Sequence, residues 1–207
     1  MAQSPVSQLL ERNLALFNGK QLLVAGCFDD NYALELANHA DHVTLFTTDF
    51  HRHQQLVPEA KTGFVEQLLI GATDAAMMGQ NALVTAESLG LGGVYIGAVR
   101  NHPAEIGDLL GLPDLVIPLF GLCLGYPAQD PQLKPRLPRA LVVHENQYQP
   151  LNKALVEQYD NEMRAYYAAR TSNNKDQGWT SQIRGILSKE ARPFMLDYLQ
   201  QKGFCKK

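Results

Sequence analysis

The sequence is short of most features that would place a chain outside the ordinary globular class. Cysteine is scarce: Cys27, Cys123 and Cys205 are the only three, odd in number and far apart. That excludes a disulfide framework or a CxxC motif, and it fits free thiols in a reducing cytoplasm. Long hydrophobic runs are lacking as well. Val116 to Leu124 and Leu22 to Gly26 fall far below the roughly 20 residues a spanning helix needs, so no membrane partner is expected. Neither sign of charge dominates, with 18 Lys+Arg against 21 Asp+Glu and a formal net charge of −3. No global basic field is present to attract nucleic acid. Met1 to Leu10 has neither the basic start nor the apolar stretch of an export signal, so none is expected. Internal repeats and low-complexity segments do not occur. What is present is a chain of 207 residues, 45% hydrophobic and 19% charged, close to the globular average. It suffices for one ordinary domain, or two very small ones, with a real core.

The pattern predicts mixed α and β structure with helices leading. Val6 to Phe17 reads as an amphipathic helix stopped at Asn18-Gly19, and Gln21 to Gly26 as a buried parallel strand. Tyr32 to His39 reads as a helix and Val43 to Thr47 as a second strand, completing one β-α-β unit. Thr62 to Gly90 is long, alanine-rich and apolar over more than half of its helical wheel, which predicts a helix buried on nearly all sides. Its small residues Gly71, Ala75, Gly79 and Ala82 would also admit close packing in a dimer. Leu91 to Val99 reads as a glycine-rich approach to a short strand, and Pro103 to Leu110 as a helix with proline in its first turn. Val116 to Tyr126 reads as a strand whose proline predicts an edge position or an irregular start. A stiff polar stretch follows, Pro127 to Pro138. Helices are expected over Ala154 to Arg170, Ser181 to Lys189 and Pro193 to Lys202, with a polar loop from Ser172 to Trp179.

Few residues suggest chemistry by themselves. Gly90-Leu91-Gly92-Gly93 before Val94 to Gly97 would let backbone approach a flat or phosphorylated ligand, or is simply a helix stop with a tight strand start. The order helix, glycines, strand is the reverse of a dinucleotide-binding turn, which excludes that reading. Lys134-Pro135-Arg136 sets two cations two residues apart, so that in an extended chain both side chains point the same way and suit a phosphate; a solvated loop is the plainer alternative. His39, His42, His51 and His53 cluster without a matching carboxylate, so no metal site is expected. No GxSxG elbow or local cysteine signature marks a nucleophile. An enzyme with this inventory would rely on a bound cofactor, with no catalytic side chain of its own.

Long ordered stretches carry a specific likeness. EQLLIGATDAAMMGQNALVTAESLGLGGVYIGAVRN (Glu66 to Asn101), PLFGLCLGYPAQDPQLKPRLP (Pro118 to Pro138), HENQYQPL (His144 to Leu151), QYDNEMRAYYAARTSNN (Gln158 to Asn174) and ARPFMLDYLQQKGF (Ala191 to Phe204) resemble the FMN-dependent nitroreductase family. The likeness runs from about Asp49 to the end, assigning residues 51–207 to a nitroreductase-like FMN-binding domain. It implies an α+β nitroreductase-like fold, a central sheet flanked by helices around a long central helix. It also implies a homodimer that uses NADPH to reduce nitroaromatics, quinones or flavins by two-electron ping-pong transfer. By the same resemblance Tyr95, Ile96, Gly97 and Ala98 lie along the flavin ring, with a backbone N–H near Gly97 facing N5. Lys134, Pro135 and Arg136 correspond to the phosphate-holding segment, and Arg170 to the region meeting the 2′-phosphate of NADPH. Lys175-Asp176-Gln177 is less basic than the family's loop at that place. Lys189, Arg192 and Phe194 correspond to the mouth of the site, with Arg192 counted among the cofactor contacts.

The first 50 residues differ. The family's His-Arg-Ser-x-Arg type segment, which grips the FMN phosphate, does not occur in Met1 to Thr48. Ser7 to His51 instead resembles the start of bacterial small-subunit rRNA guanine-N2 methyltransferases, without their AdoMet loop or NPP motif. The fold expectation is therefore a nitroreductase body, N-terminally truncated, with a β-α-β segment in place of the lost part. Gene fusion, gene decay and misjoining all produce such a boundary. The alternative function is a flavin-deficient chimeric remnant without catalysis, at most a dimerising protein. Binding of rRNA is disfavoured, since the segment has few cations, Arg12, Lys20 and Arg52.

Overall fold

The computed structural model describes residues 42–127, 130, 132–170 and 174–206. The expected helices Val6 to Phe17 and Tyr32 to His39, and the strand Gln21 to Gly26, lie outside the described residues. The chain divides into two compact units, one formed by the described residues up to 127 together with 192–206, the other lying within Gln129–Ala191.

The first unit is built on a three-stranded sheet. Its strands are β1 (His42–Asp49), β2 (Gly92–Ile96) and β3 (Val116–Gly125), in the order β1-β3-β2 and antiparallel throughout. The proline-bearing strand is thus central, which corrects the expectation of an edge. Pro118 has no N–H to give, and it stands opposite Thr47 where the register shifts between Phe46 and Thr47. A bulge leaves one ladder position unpaired, and there a proline is tolerated. The irregular start was foreseeable; the central place was not.

Both faces of β3 are covered, so its residues are buried almost without interruption. On one face Leu122 and Leu124 join Phe46 of β1 with Ala75 and Ala86 of α2 (Val65–Ser88). On the other, Leu115 and Ile117 pack with Tyr198 of α6 (Met195–Gln201) and with Phe204. The C-terminal stretch is stitched to the sheet by backbone bonds from Leu115 N to Lys202 O, 2.8 Å, and from Lys206 N to Gly63 O, 3.1 Å. Two shorter helices complete the unit, α1 (His51–Leu56) and α3 (Pro103–Leu110). Pro103 opens α3, where its missing N–H costs nothing, and Gly111 ends it with φ +60°, a left-handed stop.

Helix α2 departs from the expectation of all-round burial. Only Ala75, Gly79 and Ala86 are buried. Leu69, Met77 and Val84 are 57%, 56% and 52% exposed, on the arc opposite the buried residues. Within one chain, the sheet covers the small-residue side alone. Gly79 is where that contact is closest, since a Cβ there would stand 2.9 Å from the Phe120 ring.

The second unit holds α4 (Lys153–Ala168) and α5 (Trp179–Leu187). Asn152 caps α4 by accepting from Leu155 N at 3.2 Å. Tyr159, Met163 and Tyr167, four residues apart, form the buried stripe of α4, against which Leu137 and Trp179 pack. Asp160 Oδ1 accepts from Thr180 N at 2.7 Å, tying α4 to the first turn of α5. Burial pushes the Asp160 carboxyl up, but that bond, together with nearby Arg164, outweighs it and holds the pKa below the usual value.

Candidate functional site

The residues implicated by sequence fall into two groups, one in each unit. In the first unit, Tyr95 and Ile96 end β2, and the chain turns at once into a 3-10 helix, Gly97–Arg100. Val94 and Tyr95 are exposed beside this turn, at 37% and 39%. The Tyr95 ring leans edge-on against Phe120, centroids 5.5 Å apart, and its hydroxyl donates to Gln80 Oε1 at 3.3 Å. Partial burial raises the Tyr95 pKa, with a smaller push from Glu87. The turn therefore offers a backbone edge and an aromatic flank on a rigid support, a surface suited to a flat ligand.

Arg192 is brought to the same turn from far along the sequence. Its Nε and Nη2 donate to Asn101 Oδ1 at 3.1 and 2.8 Å. Arg100 packs over Gly97 and donates to the Leu119 carbonyl. Sequence reasoning found Gly97 and Arg192 but not Arg100 or Asn101, which link them. No local pattern marks an asparagine as the holder of an arginine about ninety positions later; the only clue was its place in the AVRN stretch directly after the turn.

In the second unit, Lys134 and Arg136 are exposed and Pro135 is half-buried, on a segment without helix or strand. The segment is nevertheless fixed, because the Tyr159 hydroxyl donates to the Pro135 carbonyl at 3.1 Å. Lys134 Nζ stands 5.9 Å from the Tyr167 ring centroid, and the Arg170 guanidinium lies 5.8 and 6.0 Å from the Tyr166 and Tyr167 rings. Tyr167 thus stands within cation–π range of both Lys134 and Arg170. Among the described residues neither Lys134, Arg136 nor Arg170 is in an ion pair. Lys134 and Arg170 beside aromatic rings, with Arg136 exposed next to them in sequence and none of the three in an ion pair among the described residues, suit a phosphate. FMN carries a phosphate and a flat ring, so both groups fit it in kind. Lys189 and Phe194 are exposed. No helix of the described residues is long and apolar enough to cross a membrane.

Comparison with known proteins identifies the family of the chain. The C-terminal domain of the nitroreductase family matches residues 134–207. The methyltransferase small domain N-terminal family matches residues 7–76, a span that includes β1, α1 and half of α2. The oxygen-insensitive NADPH nitroreductase of Salmonella typhimurium is 56% identical over 78% of this chain and 67% of its own length. The NADPH-flavin oxidoreductase of Vibrio harveyi is 51% identical over 79% of this chain and 68% of its own. Among solved structures, nitroreductase A of Vibrio parahaemolyticus is 40% identical with a TM-score of 0.78, covering 99% of this chain and 78% of its own. The Vibrio harveyi NADPH:FMN oxidoreductase, solved with NAD+, gives 37% and a TM-score of 0.80 over 100% of this chain and 91% of its own. On identity and coverage alike, this chain belongs to the nitroreductase family.

Proposed function

We infer that the chain is an FMN-dependent NADPH oxidoreductase that reduces nitroaromatics, quinones or flavins by two-electron ping-pong transfer. The observation that carries this reading is the match to an NADPH nitroreductase and a flavin oxidoreductase over more than three quarters of the chain. The chemistry supplied by bound FMN is two-electron exchange, first with NADPH and then with the acceptor. The chain's own residues bind, orient and neutralise. Lys134 and Arg136 would hold the FMN phosphate, on a segment braced by Tyr159. The Tyr95 to Ala98 turn would lie along the ring, with a backbone N–H near Gly97 at its electron-accepting edge. Arg170, beside the Tyr166 and Tyr167 rings, would meet the 2′-phosphate of NADPH, and Arg192 would stand at the mouth. No acid or base is required of the protein; transfer depends on closeness and alignment.

Residues 51–207 act as the FMN-binding domain in this reading, and residues 1–50 as a methyltransferase-like segment that adds no ligand to the phosphate. Two copies would pair through the exposed apolar arc of α2, which includes Leu69, Met77 and Val84. Free Cys123 and Cys205 suit a cytoplasmic setting.

The test is the visible spectrum of the purified protein with added FMN, followed by NADPH and then a quinone. Retained flavin that bleaches with NADPH and recovers with the quinone is expected. A protein that retains no flavin at high FMN would sink the catalytic reading and favour the remnant. Lys134→Ala and Arg136→Ala should each weaken FMN binding about ten- to a hundredfold, the loss of one charge-assisted contact.

A further inference from the structure

Helix α5 cannot cap its own start. Its N-cap is Gly178, which has no side chain to accept a hydrogen bond, and its first turn holds no acidic residue. The first N–H groups of a helix have no partner within it, and the positive end of the helix dipole favours an anion. Asp160 of α4, 20 residues before Thr180, supplies both needs: its Oδ1 accepts from Thr180 N at 2.7 Å. The sequence makes room for that carboxylate. Gly178 is buried with φ −76°, a value open to any residue, so its backbone does not require glycine. Space does, since a Cβ there would stand 2.8 Å from Asp160 Oδ1 and 2.9 Å from its Cγ.

The cap leads on to the segment that carries Lys134 and Arg136. Trp179 opens α5, and its ring meets that of Tyr159 edge-on, centroids 5.9 Å apart. Tyr159 precedes Asp160 on α4 and is buried, and its hydroxyl donates to the Pro135 carbonyl at 3.1 Å. Leu137 packs in the same cluster. The chain is thus held on both sides of Arg136, while Lys134 and Arg136 themselves stay exposed. One end of this linkage is a carboxylate at a helix start; the other is a backbone bearing two cations.

We propose that Asp160 is a positioning residue: by capping α5 it holds Trp179 against Tyr159, and Tyr159 fixes the Lys134–Arg136 segment for a phosphate. The phosphate rests on the reductase reading; the linkage rests on the geometry of the second unit alone.

Three measurements on the full chain test it. Trp179 is the only tryptophan, so its emission reports the first link. Trypsin reports the second, because the bond after Arg136 is open to it while Lys134 is followed by proline, and cleavage of a folded chain follows local opening. Asp160→Ala should shift Trp179 emission to the red and speed cleavage after Arg136 about tenfold, the loss of one hydrogen bond to a charged group. Cleavage after Lys61, in the first unit, should change less than about twofold. Asp160→Asn keeps an acceptor oxygen and should stay within about threefold of the unaltered protein. Gly178→Ala crowds the carboxylate and should resemble Asp160→Ala. FMN affinity should fall about tenfold in Asp160→Ala, and that of riboflavin, which lacks the phosphate, less than about twofold. Unshifted emission in Asp160→Ala overturns the proposal, as does shifted emission with unchanged cleavage after Arg136. An equal rise in cleavage after Lys61, or an equal loss of FMN and riboflavin affinity, shows general loosening and overturns it too. Faster cleavage after Arg136 in a protein that takes up no FMN when unaltered overturns the reductase reading and leaves the linkage standing.

Discussion

Strand β3 and helix α2 are both strongly apolar in sequence, yet they meet opposite fates. β3 is buried along nearly its whole length, because α2 covers one face of the sheet while α6 and Phe204 cover the other. α2 is fully buried only at its small residues Ala75, Gly79 and Ala86, with Leu68 and Leu83 partly buried beside them, while Leu69, Met77 and Val84 are exposed. Apolar composition therefore sets how much surface a segment must hide, while size decides which side hides first. Alanine and glycine let α2 approach the sheet closely; Leu69, Met77 and Val84 are left exposed for another surface. That contrast makes the helix a candidate for contact between copies and the strand a matter of internal stability.

The contrast can be broken most forcefully at the strand. Leu122→Ala removes a fully buried side chain from the cluster with Phe46, Ala75, Ala86 and Leu124, and should cost about 2–5 kcal/mol in urea unfolding. Gly79→Ala attacks the contact itself. A glycine-to-alanine change inside a helix normally gains up to about 1 kcal/mol. Here the new methyl would meet Phe120, whose ring is stacked on Phe46 at 4.8 Å and flanked by Tyr95, leaving it little room to move. A net loss of about 1–3 kcal/mol is expected, so even the sign of the change tests the packing.

Tyr198 sharpens the comparison on the other face of β3. Its hydroxyl is buried without a hydrogen-bond partner. Burial, aided by Asp108, pushes its pKa up from 10.0 to about 12. A folded pKa above the unfolded one favours the protonated native state. That contribution is complete below about pH 10 and is lost as pH rises through about 12. Tyr198→Phe should change neutral-pH stability by less than about 1 kcal/mol, since it removes an unmet polar group with the ring kept. It should also flatten this part of the alkaline decline, as followed by chemical unfolding at rising pH. The smallest expected effect lies on the open arc of α2. Met77→Gln should leave the unfolding free energy of dilute protein within about 0.5 kcal/mol, while light scattering at higher concentration reports weakened self-association.

How far the sequence could be read follows the same division. Helices α2, α3, α4, α5 and α6, and the three strands of the described sheet, were legible within a few residues, because periodicity and the proline opening α3 are local signals. The central position of β3 was not, because tolerance of Pro118 depends on a register shift in β1, more than seventy residues upstream. At the site, Lys134 and Arg136 were visible as a pattern and Gly97 through the family likeness. Tyr166 and Tyr167, which stand beside Lys134 and Arg170, were not singled out by any local pattern. Asn101 was silent: nothing near it in sequence says that Arg192 will arrive.

The second unit is threaded into the first as an interruption of the chain, between β3 and the segment leading to α6. The bonds that close the first unit, Leu115 to Lys202 and Gly63 to Lys206, span that interruption. Folding of the sheet must therefore bring together the two ends of an insert of roughly 60 residues. An unstructured insert behaves as a long flexible loop; a folded one behaves as a short loop with a rigid knot in it. The difference in closure entropy is on the order of 1–2 kcal/mol. Anything that orders the second unit thereby lowers the closure cost that the first must meet.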